Sequence, residues 1–229
     1  MTTVYDRNPA LQKPRGRAAW AESLVPILEE LRDRLRQRPV QEIAQLAGVA
    51  RQPEECMLML QHLNGAFSLS WPELVVYAAG SHEPCGAELQ GLVLYYLTMA
   101  DGTPVTGHWV AFRDLPNGWL YNQAFQSYTG DVLVQAIGDD LDQLHRAARA
   151  AGGQPLDLGD ISYAFVGLPR IPLAFVYWRG DEEFPAQAQV LFDAAAGNYL
   201  PIDGSAALGR RLISQILAEA ASSSSTKEL

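Results

Sequence analysis

Residues 162–192 read SYAFVGLPRIPLAFVYWRGDEEFPAQAQVLF. Three runs within this stretch, Ser162 to Val166, Leu173 to Trp178 and Gln187 to Phe192, are rich in aromatic and β-branched residues and are separated by Gly and Pro turns. Such runs fit a pleated surface that is buried on at least one face, so they predict neighbouring antiparallel strands. The fold class expected around them is α+β, with one or more antiparallel sheets packed with several helices.

Working outward, the chain downstream turns helical. Leu208, Leu212, Ile216 and Leu217 recur at helical spacing behind Asp203 or Ser205 as a cap. Upstream lie two short helices, about Val132 to Ile137 and Leu141 to Ala151, the second capped by Asp140 and stopped by Gly152-Gly153. Before them, Gly107 to Phe112 and Trp119 to Tyr121 flank Leu115-Pro116-Asn117-Gly118 and read as a hairpin. Glu88 to Ala100 is apolar almost throughout; Leu89, Leu92, Val93, Tyr96 and Leu97 favour a buried helix that ends at Asp101-Gly102.

Nearer the start, Asn64-Gly65 between apolar runs signals a second hairpin, Cys56 to Leu63 with Ala66 to Trp71, followed by a strand from Leu74 to Ala79. Val40 to Ala47 predicts a short helix closed by Gly48. Trp20, Leu24, Ile27, Leu28, Leu31 and Leu35 form one helical stripe, with Pro26 tolerated in the first turn if Ser23 is the cap. Residues 1–17 read as a flexible arm, 18–220 as one domain, and 221–229 as a disordered tail.

The 229 residues carry a formal charge of −9, which argues against a broad nucleic-acid surface because phosphate binding needs clustered Lys and Arg. Arg7, Lys13, Arg15 and Arg17, ahead of a helix that also carries Arg32, Arg34, Arg36 and Arg38, concentrate basic charge near the start, open to two readings, a local anion patch or a solvated helix face. With two cysteines, Cys56 and Cys85, and no secretory pattern at the start, a reducing, cytoplasmic setting is expected. The longest apolar run, Gly91 to Met99, is too short to span a bilayer, so no membrane partner is expected.

Chemistry has several candidate carriers. Asp181, Glu182 and Glu183 stand between two expected strands, and Asp193 follows the second. Gathered at one end of the sheet, Asp181, Glu183 and Asp193 would supply oxygen ligands for Mg²⁺ or Ca²⁺, or a general base; otherwise they form a hydrated turn. His108, Trp109, Trp119, Tyr121 and Trp178 would offer rigid aromatic contact area and a polar handle for a flat ligand, or would simply pack a core. His82 and Cys85 amount to two ligands, short of a zinc centre unless Cys56, His62 or His108 joins them. No Walker loop, dinucleotide fingerprint, Gly-x-Ser-x-Gly elbow or His-Glu-x-x-His helix occurs.

The run from Tyr96 to Pro116, together with Leu168-Pro169-Arg170-Ile171-Pro172-Leu173, Trp178, Gly180 to Pro185, Leu191-Phe192-Asp193 and Tyr199-Leu200-Pro201, resembles the uncharacterised prokaryotic family DUF3786 from about Trp20 to Leu217. The resemblance implies no activity. Through members that carry an added iron-sulfur domain, it implies an anaerobic redox or corrinoid-linked setting and an iron-sulfur or corrinoid protein as partner. Two isolated cysteines cannot themselves hold such a cluster.

The leading expectation is therefore an accessory binding module that holds a small ligand, a cofactor of unknown identity or a partner protein in an aromatic pocket edged by His108, Asp181, Glu182 and Glu183. The alternative is a metal-assisted hydrolase or lyase built on the acidic cluster.

Overall fold

The computed structural model describes residues 14–54 and 56–225, with side chains described for 25–54 and 56–222. Residues 1–13 of the expected arm and 226–229 of the expected tail lie outside the described residues. The fold is α+β, with two antiparallel sheets and helices packed on them, and the chain divides into two compact units.

The first unit comprises residues up to 60 together with 65–103 and 198–200. Helix α1 (Pro14–Arg36) begins well before Ser23, so Pro26 sits inside it rather than in a first turn. Residues 14–17 and 221–225 are likewise helical rather than arm and tail. Helix α2 (Val40–Ala47) ends as expected on Gly48 in the left-handed conformation, φ 64°.

Four strands follow, β1 (Ala50–Gln52), β2 (Met57–His62), β3 (Gly65–Ser70) and β4 (Val76–Ala78), in the order 1-2-3-4. The β2–β3 hairpin forms where Asn-Gly placed it, although the non-glycine residue taken to positive φ is Leu63, at 52°.

Helix α3 (Ala87–Met99) is buried nearly all round, which explains its lack of a polar face. Its one buried amide is fully used: Gln90 Oε1 accepts from Val76 N at 3.0 Å, and Nε2 donates to the carbonyls of Val76 and Cys85. This side chain completes β4 from the helix side. The arginine row on α1 is an ion-paired, solvated face, with Arg32, Arg34 and Arg36 bonded to Glu29, Glu30 and Asp33, and Arg38 to Glu42.

The second unit comprises residues 61–64, 104–197 and 201 onward. Its sheet runs β5 (Trp109–Ala111), β9 (Gln187–Asp193), β8 (Ile171–Trp178), β7 (Ile161–Leu168), β6 (Gln154–Pro155), all antiparallel. Register sets Tyr163 opposite Phe175 and Phe175 opposite Val190, so one row of large side chains crosses the three central strands. Helices α5 (Gly130–Ile137), α6 (Leu141–Ala150) and α7 (Ile202–Ser225) complete the unit, α6 capped by Asp140, whose carboxylate accepts from Gln143 N at 2.9 Å.

The expected hairpin over 107–121 does not form. After β5 the chain makes a 3-10 turn (Phe112–Asp114) and then helix α4 (Gly118–Ser127). Asn117 at φ 64° turns the chain, but into a helix, because Gly118 lies so close to Phe112 that a Cβ would stand 1.8 Å from its carbonyl oxygen. Phe125, one face and two turns on, then stacks on Phe112 with ring centroids 3.9 Å apart. Burial of the Gly118 and Phe125 face decides the helix and leaves Trp119, Leu120 and Tyr121 outside.

Candidate functional site

The acidic run lies in the connection between β8 and β9, where its first residue builds the turn. Asp181 Oδ1 accepts from Glu183 N at 2.8 Å and Phe184 N at 2.7 Å, while Asp181 N donates to Phe184 O at 2.9 Å. This is a carboxylate closing its own loop, as Asp does in tight turns. The amides of Phe184 and Glu183 hold its carboxyl below the usual range. Glu182 and Glu183 are exposed, and the turn presents Phe184, 63 % exposed, rather than a set of ligands.

Asp193 does different work at the far end of β9. It is buried, and its oxygens accept from Thr106 N, Thr106 Oγ1 (3.0 Å), Gly107 N (2.7 Å) and Ala195 N (2.9 Å). Burial alone would raise its carboxyl, but the amides of Ala195, Thr106 and Gly107 and the Thr106 hydroxyl outweigh that and hold it low. Those donors use roughly the four lone-pair positions a carboxylate owns, so Asp193 has no capacity left for a cation.

The expected metal set is therefore corrected. Asp181 is committed to its turn and Asp193 to a backbone cradle. Among the described residues no group of three or more His, Cys, Asp or Glu side chains could hold a metal ion.

One concavity of this unit is a groove of about 890 Å³, within the range that cofactor-sized ligands occupy. Trp178 and Arg179 at the end of β8 form one side, and Phe184, Pro185 and Ala186 continue it. Its floor is the outer part of β9, Gln187 to Gln189. Helices α4 and α5 supply Asn122 and Gln126, then Asp131, Val134 and Gln135, and Arg113 joins the lining.

The wall is tied to the floor by Gln126, whose Nε2 donates to Ala188 O at 2.7 Å and to Asp131 Oδ1 at 3.2 Å. Gly130 allows this approach, since a Cβ there would meet the Ala188 carbonyl oxygen at 2.0 Å.

Of the residues singled out from the sequence, Trp178 alone lines this groove, at 40 % exposure. Trp109 is half-buried on β5, and His108 is exposed beside it, its amide bonded to Thr106 Oγ1 and its carbonyl to Ala194 N. Trp119 and Tyr121 on α4 are 72 % and 53 % exposed and are not among the groove's lining residues. The aromatic pocket expected from these rings is thus not assembled as a set. Sequence reasoning missed Arg113, Arg179, Phe184 and the carboxamides; the one signal available was helical spacing over 118–127, which would have moved Asn122 and Gln126 to one wall.

The remaining histidine and cysteine candidates separate as well. His62 is buried with both ring nitrogens engaged: Nδ1 bonds Gly167 O at 2.7 Å and Nε2 accepts from Arg211 Nε at 2.9 Å. The tautomer is then Nδ1–H donating to Gly167. Burial above all, with help from the Arg211 charge, pushes its pKa down to about 4 against the opposing pull of the Gly167 carbonyl.

In the first unit a smaller hollow of about 350 Å³ includes Cys56 and His82 in its lining, whereas Cys85 does not line it and its carbonyl is held by Gln90. No described helix is long and apolar enough to cross a membrane.

Over residues 39–215 the chain matches the family model described as Domain of unknown function (DUF3786). No curated protein and no solved structure matches it.

Proposed function

Since the chain belongs to the DUF3786 family, whose description assigns no activity, its function has to be read from its own surfaces, and we propose that it is a binding module holding a small ligand or cofactor in the groove beside Trp178. The observation that carries this reading is the pairing of two exposed rings, Trp178 and Phe184, with hydrogen-bonding side chains along one groove of ligand size. Apolar contact area supplies affinity in such a site, and a few placed polar groups supply orientation. The turn closed by Asp181 holds Phe184 in place before any ligand arrives, which lowers the ordering cost of binding.

The reading is tested by a thermal-shift screen of metabolites and cofactors on the wild-type chain and on Trp178→Ala. At least one compound should raise the wild-type Tm and leave the variant unmoved. A screen in which no compound distinguishes the two proteins overturns the assignment of the groove.

A further inference from the structure

The walls of the groove narrow the class of ligand, an argument that rests on the binding reading above. Trp178 and Phe184 are 40 % and 63 % exposed and neither stacks on another ring among the described residues; the indole nitrogen of Trp178 packs close to Gly159, and the remainder of each exposed ring is available for apolar contact. Arg179 adjoins them with a guanidinium that makes no ion pair among the described residues, its amide alone being bonded, to Asp160 Oδ2 at 2.7 Å. Arg113, also in the lining, pairs with its exposed chain neighbour Asp114 at 3.8 Å, a contact weak enough to exchange for a better anion.

Gln126, also in the lining, has its amino group spent on Ala188 and Asp131, which leaves its Oε1 as an acceptor, with Asn122 one turn before it on the same helix.

We infer that the groove takes a planar heteroaromatic ring carrying phosphate, the nucleotide class, with the ring against Trp178 and Phe184, the phosphate on Arg179 and Arg113, and the ring edge read by Gln126 and Asn122. Each part follows from ordinary chemistry. Flat heterocycles stack on aromatic side chains whatever their sequence. Guanidinium groups match phosphate oxygens in a bidentate way that ammonium does not.

A neutral sugar would use the rings and carboxamides but would leave the two guanidinium groups unemployed. The chain as a whole carries −9, so its general field repels anions and this local pair must supply the attraction. Binding should accordingly weaken with salt.

Isothermal titration of the full chain with ATP, adenosine and tripolyphosphate tests the assignment, with FMN and riboflavin as a second phosphorylated and neutral pair for a wider ring. ATP or FMN should bind, with its neutral counterpart and tripolyphosphate each weaker by about tenfold or more. Arg179→Ala should abolish the preference for the phosphorylated form and leave the neutral form's affinity unchanged. Trp178→Ala should weaken both forms alike, by about tenfold. Arg179 is exposed, so its variant should melt with the wild type, while circular dichroism checks that Trp178→Ala, whose ring packs in part on Gly159, remains folded at the titration temperature.

Absence of heat with both ATP and FMN, or equal affinity for neutral and phosphorylated forms, would overturn the nucleotide class. If some other compound still stabilises the chain through Trp178, the groove stands and only the ligand class falls. If none does, both fall together.

Discussion

Asp181, before strand β9, and Asp193, at its end, share one chemistry, a carboxylate that accepts from backbone amides, yet they differ in what those amides belong to. Asp181 bonds residues two and three positions ahead, in water. Asp193 reaches a segment 87 residues away and does so while buried. A local turn closed in solvent shapes one loop, whereas a buried carboxylate that satisfies distant amides fixes the path of two chain segments at once. The two acids that looked like one metal site are one loop former and one tie.

The comparison breaks most easily at Asp193. Removing its carboxylate leaves the part-buried Thr106 and Gly107 amides and the buried Ala195 amide without their acceptor, so Asp193→Ala should lower unfolding stability in urea by about 3 kcal/mol. A loss under about 1 kcal/mol would make the two acids equivalent.

Acid sharpens the contrast. The His62 pKa falls from 6.5 unfolded to about 4 folded, so below 6.5 the unfolded chain binds the extra proton. Its stability contribution is whole above 6.5, declines as pH drops, and is gone once pH passes below about 4, a loss of about 3 kcal/mol. Asp193, also held low, contributes above the ordinary carboxylate range and loses that contribution only below it. Melts taken from pH 7 to 3 should therefore fall in two stages, with His62→Gln removing the first and Asp193→Asn the second. A single stage unaltered by either change would refute the assignment.

Asp181→Ala should move Tm by no more than about 2 °C, while weakening ligand binding several-fold through a loosened Phe184. Smallest of all, Trp119→Ala should leave stability within about 0.5 kcal/mol and binding unchanged, because that ring stands in solvent outside the groove. Isothermal titration with the same ligand on the two variants checks both statements.

Much of the fold was legible in the sequence because local signals agreed with burial. The three strands of 162–192, the Asp140 cap, the Gly48 stop and the all-round apolar helix at 88–100 each carried their own pattern. The misreadings came where tertiary contact overrode local chemistry. Leu115-Pro116-Asn117-Gly118 is a turn, but whether strand or helix follows was decided by Phe112 packing on Phe125, which no local pattern announces. Similarly, Pro26 looked like a helix start and is an interior residue.

The site was far less legible. Its walls come from α4, α5, β8 and β9, and glutamines with two arginines form no motif at those separations. Acidic residues at 181–183 drew attention as ligands, whereas the direction of the Phe184 amide, which sequence does not show, gives Asp181 its role.

The most direct test of the account follows the tryptophan indole NH resonances by 15N-edited NMR during titration with ATP. Trp178 should shift progressively and saturate while Trp119 stays in place, since one ring borders the groove and the other faces solvent. Movement of Trp119 with Trp178 unmoved, or no movement of either with ATP or any compound that stabilises the chain, would contradict the placement of the site.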